Sequence, residues 1–108
     1  MHLSSLILAI ADAENGIVLI DDIDHGLHTS VLEGVWQSIS RVSREFNTQV
    51  FATTHSWECV VAAHEAFSKD LAYDFRLHRL DRVNGDIKAV TYEQEELESA
   101  IGLQWEVR

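Results

Sequence analysis

The sequence predicts an α/β fold, with parallel βαβ strands, a C-terminal β-hairpin and flanking helices. Three observations predict it. Ile17-Val18-Leu19-Ile20 is a continuous apolar run of β-formers between Gly16 and Asp21, the pattern of a strand buried on both faces of a parallel sheet. Gln49-Val50-Phe51-Ala52-Thr53 repeats that signal after a helical stretch. Asn84-Gly85 then separates two alternating segments, a strong signal for a two-residue hairpin turn.

The elements follow in order. Leu3, Leu6, Ile7 and Ile10 have helical spacing, and Asn15-Gly16 is a helix stop. The strand Ile17 to Ile20 comes next. Ser30 and Glu33 have capping-box spacing, and Leu32, Val35, Trp36, Ile39, Val42 and Phe46 keep to one helical face until Asn47-Thr48 breaks it. The second strand ends in Thr54-His55-Ser56. Ser56 is placed to cap a helix whose apolar face is Trp57, Val60, Val61 and Phe67. This order implies a parallel βαβ unit with a right-handed crossover. Tyr73, Phe75 and Leu77 then alternate with Asp74, Arg76 and His78, and Asp86 to Tyr92 is the return strand of the hairpin. Glu93 to Ile101 reads as an acidic helix with Leu97, Ala100 and Ile101 inward; its early glutamates suit the helix dipole. Two parallel strands cannot by themselves cover a strand as apolar as Ile17 to Ile20. The expectation is therefore a larger sheet, or one completed by another chain.

Length and charge narrow the function. A chain of 108 residues suffices for one domain and one core. Its expected span is 1–108, with 1–67 carrying the βαβ region and 68–108 the hairpin and last helix. A net charge of −10 opposes direct binding to nucleic acid or to an anionic membrane, so contact with nucleic acid is expected only indirectly. With one cysteine, Cys59, no intrachain disulfide forms, which fits a cytoplasmic setting. Leu3 to Ile10 lacks a basic flank and runs into Asp12, so it is neither signal peptide nor membrane span.

The chemistry concentrates after the first strand, where Asp21, Asp22, Asp24, His25 and His28 fall within eight residues. In open α/β sheets ligands bind beyond the carboxyl ends of the strands. A strand-end Asp there can hold Mg²⁺, and a second carboxylate can orient or deprotonate an attacking water. His55, ending the adjacent strand, could reach a phosphate oxygen. The bland reading stands beside this one: adjacent acids after a strand also serve as caps or loop residues, and His55 could be a satisfied turn residue. A third reading makes Asp21, Asp22, Asp24, His25 and His28 the ligands of a metal-dependent hydrolase, favouring Mn²⁺, Fe or Zn²⁺. Against it, residues following one strand cannot all point at one ion.

Gly16-Ile17-Val18-Leu19-Ile20-Asp21-Asp22-Ile23-Asp24-His25-Gly26-Leu27-His28, followed by Val50-Phe51-Ala52-Thr53-Thr54-His55-Ser56-Trp57-Glu58-Cys59, resembles the C-terminal half of an ABC-type ATPase domain. The similarity is to bacterial AAA-family ATP-binding proteins of the OLD-type and RecF-like groups, and it extends to the late hairpin and helix. The resemblance implies a partial P-loop NTPase domain of ABC type. It implies that Ile17 to Asp21 is a Walker B strand, with Asp21 helping to hold Mg²⁺, and that Asp22 is the catalytic carboxylate that polarises water. It implies that His55 is the switch histidine on the γ-phosphate, framed by Thr53, Thr54 and Ser56. Asp24, Gly26, Leu27 and His28 would form the D-loop, which meets the opposite subunit of a dimer closed around ATP. Mg²⁺ and ATP are the implied cofactors of the complete domain.

The chain departs from that pattern twice. Asp22 stands where the family has Glu, one methylene longer. No G-x-x-x-x-G-K-[ST] loop occurs in the sequence, so the phosphate-binding N–H groups, the Lys and the Mg²⁺-binding hydroxyl are expected from an upstream half or a partner chain. Competing readings are an ATP-hydrolysing module completed in that way and a non-catalytic interaction half-domain. Among the remaining residues, Trp36 and Trp57 are expected in the core and Trp105 against the sheet or a partner. Cys59 is expected to be structural, His64 and His78 to be surface or helix-face residues, and Arg76, Arg79 and Arg82 to lie on a solvated strand face.

Overall fold

The computed structural model describes residues 3–103; the expected docking of Trp105 lies outside them. The elements are α1 (Leu3–Asp12), β1 (Ile17–Ile20), α2 (Thr29–Glu45), β2 (Gln49–Ala52), α3 (Trp57–Ser68), β3 (Leu77–Val83), β4 (Asp86–Tyr92) and α4 (Gln94–Gly102). Each expected helix and strand is present, but β3 begins only at Leu77, so Tyr73 to Arg76, expected in the alternating strand, precede it outside any strand. β1 and β2 pair in parallel from Ile17 opposite Gln49 to Ile20 opposite Ala52, as the βαβ reading requires. β3 and β4 form the antiparallel hairpin. Its turn residues, Asn84 at φ 53° and Gly85 at φ 85°, have the doubly left-handed backbone of a type I′ turn.

α1, α2 and α3 lie on one side of the β1–β2 pair. The pair's inner face, Val18, Ile20, Val50 and Ala52, joins a core with Leu6 and Ile10 of α1, Leu32, Val35, Trp36, Ile39 and Val42 of α2, and Cys59, Ala63 and Phe67 of α3. A second, smaller cluster joins Val60 to Leu97 and Ala100 of α4. Phe75 packs against both clusters and so ties the hairpin region to the main core.

The expectation that β1 is buried on both faces fails for the outer face. Ile17 is 60% exposed, Leu19 78% and Phe51 46%. The reason is geometric. Side chains alternate across a strand, the register sets Leu19 beside Phe51, and α1, α2 and α3 pack on the opposite face. The apolar run does form a strand of a parallel pair, but the described residues cover only one of its faces.

The segment between α3 and β3 is anchored by Arg44, near the end of α2. Its guanidinium bonds Asp70 at 3.0 Å and Asp74 at 3.0 Å, while Ser40 donates a short hydrogen bond to Asp70. The Ser40 hydroxyl first, and Arg44 second, hold the Asp70 carboxyl down to about 2 from its ordinary 3.8. A carboxyl lowered on folding stabilises the fold above its unfolded pKa, and that contribution disappears as pH falls through the folded value. Stability is therefore expected to decline between about pH 4 and pH 2 by a step that Asp70→Asn removes. Acid titration followed by circular dichroism checks it: a variant with the same acid limb as the wild type refutes the assignment.

His64, expected at the surface or on a helix face, lies on a buried face of α3. It remains satisfied because its Nδ1 is 2.8 Å from the Tyr73 hydroxyl, and that phenol's own pKa rises to about 12, chiefly from burial. The helix expected to start at a Ser30–Glu33 capping box is instead capped two residues earlier by His28. Ser56 caps α3 as expected: the Cys59 N–H donates to its hydroxyl at 3.2 Å. Cys59 is fully buried, and burial pushes its thiol pKa up, as for an inert structural thiol. Arg79 pairs with Asp81 at 2.9 Å and Arg76 with Glu93 at 3.2 Å. Among the described residues no helix is long and apolar enough to cross a membrane.

Candidate functional site

The acidic segment begins where β1 ends, and β2 ends beside it. The parallel register sets the geometry. With Ile20 opposite Ala52, the next residues, Asp21 and Thr53, leave the sheet side by side. The backbone continues the pairing for one more step. The Thr53 N–H donates to the Ile20 carbonyl at 2.9 Å, and the Ile23 N–H donates to the Thr53 carbonyl at 3.0 Å.

Side chains add to this seam. The Thr53 hydroxyl donates to Asp21 Oδ1 at 2.5 Å and accepts the Asp22 N–H at 2.7 Å. The neighbouring Thr54 hydroxyl donates to Asp24 Oδ1 at 2.5 Å and accepts the Ser56 N–H at 3.1 Å. The two threonines therefore fasten the loop that carries His55 to the loop that carries the three aspartates. Asp21, Asp22 and His55 are all exposed on this rim, while Asp24 is half-buried.

Asp22 has φ 54°, a left-handed backbone uncommon for residues other than glycine and tolerated best by Asn and Asp. This turn carries the Asp22 side chain away from the core, where it is 51% exposed and 3.5 Å from the ring of His25. A pair this exposed adds little stability. Gly26, at φ 76°, makes the second left-handed turn of the segment. A Cβ there would meet nothing within 4 Å, so glycine serves the backbone angle rather than a close approach. Leu27 packs against the core. His28 is turned back on its own chain, where its Nδ1 accepts the Ser30 N–H at 3.1 Å.

Among the described residues, no three His, Cys, Asp or Glu side chains come together as a metal cage. Asp21 is held by Thr53, Asp24 by Thr54, and His28 is committed to capping α2. The five-residue ligand set of a self-contained transition-metal hydrolase therefore does not assemble. The same arrangement fits Mg²⁺, a hard cation that commonly takes one or two carboxylates, keeps several waters and shares a substrate's phosphates. Asp21 has a second carboxylate oxygen beyond the one that Thr53 holds.

Sequence reasoning named Thr53 and Thr54 only as a frame for His55. Their hydroxyls in fact hold the carboxylates of two aspartates, Asp21 and Asp24, and the backbone N–H of the third, Asp22. The available signal was the pairing itself: once the two strands are neighbours, the residue after Ala52 must lie beside Asp21.

A family model described as an AAA ATPase domain matches residues 1–60. An uncharacterized protein of Methanocaldococcus jannaschii is 38% identical over 69 residues, which cover 62% of this chain and 60% of that protein. A solved SMC ATPase chain, from a study of ATP-driven dimerization and DNA-stimulated activation, superposes with a TM-score of 0.61 at 20% identity. That superposition covers 94% of this chain and 57% of the SMC chain. The fold is thus that of a P-loop NTPase, and the chain spans about 60% or less of the length of the proteins it matches.

Proposed function

Because the chain belongs to the AAA ATPase domain family, we propose that it supplies the metal-holding and water-directing side of an ATP site. Asp21 holds Mg²⁺, Asp22 polarises the attacking water, and His55 contacts the γ-phosphate. This is the Walker B and switch-histidine arrangement of the OLD-type and RecF-like ATPases. Asp24, Gly26, Leu27 and His28 form the surface that meets a second subunit. Residues 1–67 carry these elements, and the hairpin and last helix belong to the same domain. The setting is cytoplasmic, and any nucleic acid is reached through a partner.

The observation that carries this reading is the threonine seam. It brings two carboxylates and the histidine-bearing loop to one rim at the carboxyl end of a parallel strand pair, where α/β folds place their ligands. When bound, Mg²⁺ neutralises phosphate charge as the γ-phosphoryl group is transferred. The chain's own work is narrower. Asp21 offers a carboxylate oxygen, Asp22 accepts or directs a water proton, and His55 donates toward anionic oxygen. The 108 residues contain no P-loop, so the N–H cradle and its Lys come from an upstream half or a partner chain. Closure of two such halves around nucleotide would parallel the ATP-driven dimerization described for the SMC ATPase.

Titrating Mg-ATP into the chain by calorimetry tests this. Binding that is lost in Asp21→Ala supports the assignment. Equal binding in wild type and Asp21→Ala overturns the role of Asp21. A flat wild-type isotherm removes independent ATP binding and leaves a half-site dependent on its cradle. A second reading, a non-catalytic interaction half-domain, is favoured by the uncovered apolar face of Ile17, Leu19 and Phe51.

A further inference from the structure

Thr53 uses its N–H, its carbonyl and its hydroxyl on four successive residues of the acidic segment: Ile20, Asp21, Asp22 and Ile23. Its backbone contacts merely extend the strand pairing. Its hydroxyl does something different. It donates to one oxygen of the Asp21 carboxylate, which fixes that group's rotation, and it accepts the N–H of Asp22. That second bond holds Asp22 at φ 54°, a backbone angle with an intrinsic cost for a residue bearing a Cβ.

We propose that Thr53 is a positioning residue: its hydroxyl aims the Asp21 carboxylate at the metal position and keeps Asp22 turned outward beside it. The inference rests on the reading of Asp21 as the Mg²⁺ holder. A hydroxyl on one carboxylate oxygen leaves the other to face a cation, and outer partners of this kind commonly set metal affinity by about 10- to 100-fold. Thr53 is itself exposed, so its hydroxyl is not needed to satisfy a buried core.

The test compares Thr53→Val with Thr53→Ser. Valine keeps the β-branched shape and both backbone bonds but loses the hydroxyl; serine keeps the hydroxyl. The probe is Mn²⁺ alone, titrated into the ¹⁵N-labelled 108-residue chain, with paramagnetic broadening of the Asp21 and Asp22 amides as the readout. Wild type and Thr53→Ser are expected to broaden over the same Mn²⁺ range. Thr53→Val is expected to need about 10-fold more metal. Its Asp22 amide, deprived of its acceptor, should also exchange faster with solvent.

Equal broadening in wild type and Thr53→Val overturns the proposal, as does a serine variant that behaves like valine. If broadening disappears in Asp21→Asn but persists in Thr53→Val, the metal site stands and only the role of Thr53 falls. If wild type shows no focused broadening at Asp21, the metal reading falls and this proposal with it. Circular dichroism on each variant checks the fold. Should Thr53→Val unfold, the same comparison is made between Thr53→Ala and Thr53→Ser.

Discussion

Trp36→Ala is expected to destabilise the fold by about 3–5 kcal/mol, the usual cost of truncating a large buried aromatic. Trp36 is 8% exposed and lies where α2 meets α3 and the strand-entry segment. Its ring centroid is 6.4 Å from that of Phe67 and 5.9 Å from that of Phe75. Those two rings stack on one another at 5.2 Å. Phe75 also packs against the cluster of α4. Removing the indole therefore opens a cavity and loosens the link between the hairpin region and the main core. Domains of this size have a total stability of about 5–15 kcal/mol, so the loss is a large share of the whole. Urea denaturation followed by far-UV circular dichroism measures it. The midpoint should fall while the slope holds, because the surface exposed on unfolding changes little. A shift worth less than about 1 kcal/mol would place Trp36 outside the group of residues that decide stability. Trp57, only half-buried at the start of α3, should cost less when truncated.

The contrast between what could and could not be read from the sequence follows from the range of the interactions involved. Helical periodicity in α2, the Asn84-Gly85 turn and the Ser56 cap are local, and each is governed by a few neighbouring residues. They appeared where expected. The start of α2 shows how local signals compete. Ser30 and Glu33 have the right spacing for a cap, but the His28 imidazole reaches the Ser30 N–H first and moves the helix start upstream. The burial of His64 was not legible because its partner, Tyr73, is brought to it by tertiary packing. The bare outer face of β1 and β2 has the same origin: a pattern of apolar residues records that a strand wants cover but not which segment provides it. Asp21, Asp22 and His55 could be named from the sequence as candidates, because each follows the end of an apolar strand. The threonine hydroxyls that join them could not, since they act across 30 or more positions of sequence.

Asp22 is the residue whose replacement should affect turnover most. On the proposed reading it accepts the proton of the attacking water, a contribution of about 10²- to 10⁴-fold in rate. The assay is ATP hydrolysis with the P-loop-bearing region restored. Asp22→Ala should lose activity by that factor while Mg-ATP binding, carried by Asp21 and the cradle, changes little. Undiminished turnover would remove Asp22 from the mechanism. Asp22→Glu is the more telling variant, because two effects oppose each other. Glutamate extends the carboxylate by one methylene toward the position that the family pattern implies, and a misplacement of about 1 Å can cost about 10²-fold. Against this, the left-handed backbone at Asp22 suits aspartate, whose short side chain bonds locally, better than glutamate. The entire cost of such a backbone is about 1–3 kcal/mol, and glutamate adds only its difference from aspartate, while 1.36 kcal/mol corresponds to tenfold in rate. Reach should therefore outweigh strain, and Asp22→Glu is expected to turn over faster than wild type but to unfold at a lower temperature. A variant that is both slower and less stable would mean that aspartate, with its turned backbone, is already matched to the water position in this chain.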